Sequence, residues 1–117
     1  MQSVISDNRL QEVQTRLLEE INATQKRIHP VHANRFNNSM NNKIDHANQI
    51  LHLMDRYPNL TVKDLLYLIE CRIAGEKFVI HSYRWPVETL QVQYDNRDNL
   101  ERLYFIVWHA GKMQWED

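Results

Sequence analysis

The most apolar part of the chain is residues 60–75, LTVKDLLYLIECRIAG, which carries helix signals at both ends. Thr61 can cap the first turn, and Asp64, three residues later, can complete a capping box. Gly75 readily adopts the left-handed conformation that ends many helices. Between these ends, apolar residues follow the helical period and cover more than one face. The sequence therefore predicts a central, mostly buried helix that stops at Gly75.

A first amphipathic helix is predicted over residues 8–28. Its apolar residues recur at spacings of three or four, which places them on one face of a helix. His29-Pro30 ends this helix, because the residue before a proline is pushed out of the helical region. Residues 31–57 form the next periodic segment, so the two segments together predict a long N-terminal helical hairpin.

The clearest periodicity lies in residues 31–57, where apolar residues recur close to a heptad repeat. A helix of this length spans about 40 Å at 1.5 Å per residue, which exceeds what so small a domain needs for its own core. The excess length predicts a homodimer. The predicted dimerisation residues are Phe36, Met40, Ile44, Leu51 and Met54.

The last third of the chain is rich in β-branched and aromatic residues. This composition predicts strands over residues 77–83, 90–94, 102–109 and 112–115, with a turn over residues 95–99. An alternative for residues 99–111 is a helix with Asn99 as its cap and Gly111 at its end, because short apolar runs are ambiguous by periodicity. The preferred fold is one α+β domain over residues 1–117, helical over 7–75 and β-rich over 76–117, in which a small antiparallel sheet packs on the helices.

Composition limits the function more than any motif does. The chain has 14 Lys and Arg against 15 Asp and Glu, so its net charge is −1 and it has no global attraction for nucleic acid or anionic lipid. Cys71, the only cysteine, is expected to be buried in a helix in a reducing compartment. No apolar run is long enough for a membrane span, and the polar N-terminus lacks a signal-peptide pattern. These features predict a cytoplasmic protein without membrane contacts.

No group of residues predicts an enzyme, a metal site or a cofactor. His29 and His32 form the only close histidine pair, and no third ligand follows at a suitable spacing. Cys71 and His81 are neither in a catalytic motif nor near a helix N-terminus that would activate the thiol. We therefore expect a non-enzymatic chain with no catalytic residues, metal ligands or cofactors.

The favoured prediction is a small interaction protein, an adaptor, inhibitor or regulator, that binds an unidentified protein and also self-associates. Trp85 and Trp115 are the predicted protein-binding residues, because one lies in a connection, the other near the C-terminus, and tryptophan is enriched at interface hot spots. The alternative is a nucleic-acid-binding regulator that uses a local basic segment. Its predicted contact residues are Lys26, Arg27, Arg35 and Lys43.

Overall fold

The structure is a computed structural model that describes residues 2–29, 35–82 and 84–115. These residues form four α-helices: α1 (Gln2–Arg27), α2 (Arg35–Arg56), α3 (Val62–His81) and α4 (Val87–Trp115). None of the described residues lies in a strand. The predicted α+β fold, with a sheet in residues 76–117, is therefore wrong, and the protein is a helical bundle.

Helix α3 begins as the sequence predicts but ends later. The amide of Asp64 donates to Thr61 Oγ1 at 3.1 Å, and the amide of Thr61 donates to Asp64 Oδ2 at 3.0 Å, which confirms the capping box. Gly75 does not end the helix, because its backbone is helical and α3 continues to His81. The strand predicted over residues 77–83 is therefore wrong over residues 77–81, while Tyr83 lies outside the described residues. Buried Ile80 extends the core-facing side of α3 by one more turn.

The three other predicted strands, over residues 90–94, 102–109 and 112–115, and the turn predicted over residues 95–99 are wrong, because all of these residues lie in helix α4. The bulky residues 104–108 are distributed around a helix: Ile106 and Val107 are buried, whereas Phe105 points outward. Of the two interpretations of residues 99–111, the helix is confirmed, although α4 begins well before Asn99. In isolation, residues 95–99 favour a turn. In the bundle, their contacts with other helices override this local preference. Asp95 binds Arg35 of α2 in this way.

Helix α4 is the centre of the bundle, because it packs against α1, α2 and α3, and α1 also packs against α2. One side of α4 is fully buried at spacings of three or four residues. The α4 residues on this side are Leu100, Leu103, Val107 and Ala110. Leu103, Val107 and Ala110 meet apolar side chains of the other three helices in a single core. Among these are Val13 and Leu17 of α1, Ala47 and Ile50 of α2, and Leu65 and Ile69 of α3.

Two buried asparagines link the helices by hydrogen bonds. Asn37, at the start of α2, accepts a bond from the amide of His29 at 3.1 Å and donates to the carbonyl oxygen of the same residue, so it satisfies the backbone just after α1. Asn99 of α4 donates to the carbonyl oxygen of Ser39 at 2.9 Å and to Asn42 Oδ1 at 3.1 Å. The asparagine-rich start of α2 therefore supplies polar contacts that fix neighbouring helices.

The two glycines predict opposite stability effects. A methyl group at Gly111 would overlap Val62 Cγ1, in a buried contact between α4 and α3, so Gly111→Ala is expected to destabilise the fold by about 1 to 3 kcal/mol. At Gly75 the added methyl would have no described atom within 4 Å apart from its chain neighbours and the backbone of its own helix, so Gly75→Ala is expected to stabilise α3 by about 1 kcal/mol. Urea unfolding of both variants measures these changes. A neutral or stabilising Gly111→Ala would contradict the close packing of α3 on α4.

Candidate protein-binding surface

The side of α3 opposite the core is apolar and exposed. Tyr67, Cys71, Ala74 and Phe78 follow one another at spacings of four, three and four residues, so they form one line along the helix; we call this line the outer stripe. Tyr67 is 65% exposed and Phe78 is 74% exposed. Cys71 and Ala74 are also exposed, so the prediction that Cys71 is buried is wrong. Since Leu65 and Ile69 fill the core from the other side, α3 is apolar on two opposite faces, and the described part of the chain covers only one of them.

The outer stripe has large residues at its ends and small ones at its middle. Cys71 and Ala74 lie between the two aromatic rings, and Gly75 beside them presents no side chain. Phe78 and Ala74 line a shallow hollow together with Lys77, His81 and Ser82. Leu68 and Val79, each 37% exposed, widen the apolar surface on the side away from this hollow. The middle of the stripe is therefore low enough for another helix to approach closely.

Polar contacts on both sides of α3 hold the outer stripe in a fixed orientation. Tyr104 of α4 donates its hydroxyl to Glu70 Oε1 at 2.9 Å, and this hydrogen bond raises the pKa of Tyr104. On the other side, Arg72 Nη1 donates to Gln49 Oε1 of α2 at 2.7 Å. Glu70 and Arg72 thus connect α3 to two different helices. The outer stripe faces away from both.

The predicted protein-binding tryptophans lie elsewhere. Trp85, in the connection between α3 and α4, is half-buried, and its Nε1 donates to the carbonyl oxygen of Val79 at 2.8 Å. This bond ties the connection to the end of α3. Trp115 is the last residue of α4, and its side chain lies outside the described residues. The binding roles of Trp85 and Trp115 stay predictions.

The predicted dimerisation residues of α2 are used largely within the chain. Met40 and Ile44 are buried, and Leu51 and Met54 are half-buried against the core. Phe36 alone among them is substantially exposed, at 45%. Their apolar periodicity is therefore explained by the bundle itself. Their role in a dimer stays a prediction.

The four residues of the predicted basic segment have different surroundings in the structure. Arg35 makes a two-pronged ion pair with Asp95, at 2.7 and 2.9 Å, and the hydrogen bond to this carboxylate raises the pKa of Arg35. Lys43, whose side chain is only 8% exposed, binds Glu20 Oε2 at 2.8 Å. Lys26 is exposed, and Arg27 lies 5.7 Å above the ring of Phe36. His32 and the rest of residues 30–34 lie outside the described residues.

Glu20 is the centre of a partly buried charge cluster. It binds Lys43 at 2.8 Å and Arg102 at 3.4 Å, which links α1 to both α2 and α4. Burial of the carboxyl opposes ionisation, but the hydrogen bonds from Lys43 and Arg102 outweigh this effect and lower the pKa of Glu20. The cluster has a structural role, because it neutralises the buried ammonium of Lys43.

The described residues contain no group of three or more His, Cys, Asp or Glu side chains placed to hold a metal ion. Of the helices that the structure describes, each is too short or too polar to span a bilayer. Comparison with protein-family models, curated proteins and solved structures found no match. The outer stripe is the candidate functional surface, because it joins two largely exposed aromatic rings in one line along a helix.

The Glu20 cluster predicts a pH-dependent stability. Because the pKa of Glu20 is lowered from its ordinary value of 4.5 on folding, the stabilisation is present above pH 4.5 and is lost as the pH falls through the folded value. Glu20→Gln leaves Lys43 buried without its charged partner, so we expect a loss of about 3 kcal/mol at pH 7. The difference between wild type and variant should shrink below pH 4.5. Urea unfolding at several pH values measures it, and a pH-independent difference would contradict this account.

Proposed function

We propose that this chain is a non-enzymatic interaction protein of the cytoplasm, an adaptor, inhibitor or regulator, that binds a polypeptide through the outer stripe of α3. One observation supports the proposal above others. Helix α3 is apolar on two opposite faces, yet the bundle covers only the face that carries Leu65 and Ile69. An exposed apolar patch of this kind commonly marks a binding site, so the uncovered face is a candidate for a partner.

The two aromatic residues supply most of the binding energy in this proposal. Tyr67 and Phe78 are largely exposed, and each has on the order of 100 Å² of surface that a partner can cover. At about 25 cal/mol per Å², this burial stabilises a complex by roughly 2 kcal/mol per ring. Aromatic residues of this kind are typical binding hot spots. Trp85, the predicted binding residue in the connection between α3 and α4, is a separate candidate for binding.

The test compares two exposed apolar residues on different helices. Phe78→Ser removes a ring of the outer stripe, whereas Leu18→Ser, the matched control, changes a 46% exposed residue on α1. Each protein is immobilised and incubated with a mixture of polypeptides that includes an untagged second copy of the chain. The polypeptides that it retains are identified by mass spectrometry. We expect wild type and Leu18→Ser to retain the same polypeptide and Phe78→Ser to lose at least about 90% of it.

Circular dichroism and thermal unfolding serve as the folding control, because both changes are at exposed sites and should leave the bundle intact. Equal retention by Phe78→Ser and wild type would rule out the outer stripe as the binding surface. Trp85→Ala is included as a third variant. If Trp85→Ala reduces retention of the polypeptide and Phe78→Ser does not, the binding site lies at the connection between α3 and α4.

The alternative function, a nucleic-acid-binding regulator, has less support. Two of its four predicted contact residues, Arg35 and Lys43, are already paired with carboxylates. Lys26 and Arg27 would have to supply the phosphate contacts. Their position near the C-terminal end of α1 is unfavourable for an anion, because the helix dipole is negative there.

Binding to a generic DNA duplex separates the two functions. We expect wild type to bind no more tightly than Lys26→Glu at low salt, as measured by fluorescence anisotropy. Strong binding by wild type that falls steeply with salt and is lost in Lys26→Glu would favour the alternative. Phe78→Ser should have no effect on any DNA binding, since Phe78 and Lys26 lie on different helices.

A further inference from the structure

We propose that the polypeptide that covers the outer stripe is a second copy of this chain, packed with its α3 antiparallel to the first. This inference rests on the proposed function and names its partner. The proposed dimer interface is on α3 and not on α2, because Met40 and Ile44 of α2 are already buried within their own chain.

The outer stripe is palindromic in residue size. When two α3 helices run antiparallel about a point between residues 72 and 73, Tyr67 faces Phe78 of the partner subunit, because both lie the same number of residues from that point. Cys71 faces Ala74 of the partner subunit by the same symmetry. Each large residue thus meets a large one and each small residue a small one. A two-fold dimer requires a surface that is complementary to itself, and this pattern supplies it.

The charges beside the stripe show the same complementarity. Glu70 and Lys77 are both exposed and lie one heptad apart, on the same side of the stripe. In the antiparallel arrangement Glu70 lies near Lys77 of the partner subunit, and the two-fold axis creates this pair twice. Glu70 can accept both the Tyr104 hydroxyl and a lysine, because a carboxylate offers several acceptor positions.

A parallel arrangement lacks these contacts. It would place Glu70 near Gly75 of the partner subunit and Lys77 near Ser82 of the partner subunit, so neither charge would meet its opposite. The charge pattern therefore favours the antiparallel dimer. The small residues Cys71, Ala74 and Gly75 at its centre allow the two helices to approach closely.

The size of the surface indicates a reversible dimer. Stable interfaces bury about 800 Å² on each partner. One helix face with two exposed aromatic rings buries that area only if residues on both sides of the outer stripe also contact the partner. The residues beside the stripe are Leu68 and Val79 on one side and Glu70 and Lys77 on the other. We therefore expect a dissociation constant in the micromolar range, on the order of 1 to 100 μM.

Charge reversal tests both the partner and its orientation. In Glu70→Lys and in Lys77→Glu, the two symmetry-related pairs become repulsive, so each variant alone should dimerise about tenfold more weakly than wild type. In an equimolar mixture of the two variants, a heterodimer contains two attractive pairs. Analytical ultracentrifugation of each variant and of the mixture should therefore show that mixing restores the dimer.

The matched control carries the same charge changes away from α3, as Glu19→Lys and Lys26→Glu on the exposed surface of α1. These variants should dimerise like wild type, alone or mixed, which excludes a general effect of net charge. Thermal unfolding checks that Glu70→Lys, which loses the contact with Tyr104, remains folded. Lys77→Glu leaves this contact intact and serves as the second, independent variant.

Three results would overturn the inference: a wild-type monomer at several hundred micromolar, a dimer that neither charge reversal weakens, or a mixture that stays monomeric. The retention experiment with Phe78→Ser remains separate from this test. If wild type is monomeric but retains a different polypeptide through Phe78, the proposed function stands and the second copy is excluded as its partner. If neither experiment shows an effect, both proposals are wrong.

Discussion

The whole bundle depends on one buried line along α4, formed by Leu100, Leu103, Val107 and Ala110. Because α4 packs against all three other helices, and Leu103, Val107 and Ala110 lie in the shared core, this line determines which face of each helix is covered. For α3 the covered face is the one with Leu65 and Ile69, and the close approach of Gly111 to Val62 fixes how near α3 lies to α4. The outer stripe is exposed as a direct consequence, since it lies on the opposite side of the same helix.

The N-terminal half of the fold is predictable from the sequence because its signals are local. The apolar period of α1 and α2 and the Thr61 capping box each involve residues within a few turns of one another. The C-terminal half is not predictable in this way. Residues 95–99 favour a turn until Asp95 binds Arg35 and Asn99 binds Ser39, and both partners lie about sixty residues earlier in the chain. Only the folded bundle brings them together.

The sequence does not reveal the candidate surface, for a related reason. Gly75 predicts the end of the helix, which assigns Phe78 to a strand and separates it from Tyr67, Cys71 and Ala74. A helical glycine in an otherwise strong pattern costs only about 1 kcal/mol, and the burial of Ile80 beyond it offsets that cost. In α2 the sequence leaves a different question open, because periodicity identifies an apolar face but cannot say whether the same chain or a second copy covers it.

The central claim is that the outer stripe is covered by a second copy of the chain, and Cys71 reports on it directly. Cys71 is the only cysteine, it is exposed in the single chain, and it lies at the middle of the stripe. The measurement is the rate constant for its alkylation by N-ethylmaleimide, followed by mass spectrometry, as the protein concentration is raised from nanomolar to several hundred micromolar. The account predicts that the rate constant falls as the dimer forms, and that it does not fall in Lys77→Glu over the range where wild type is protected. A rate constant that is the same at every concentration would contradict it.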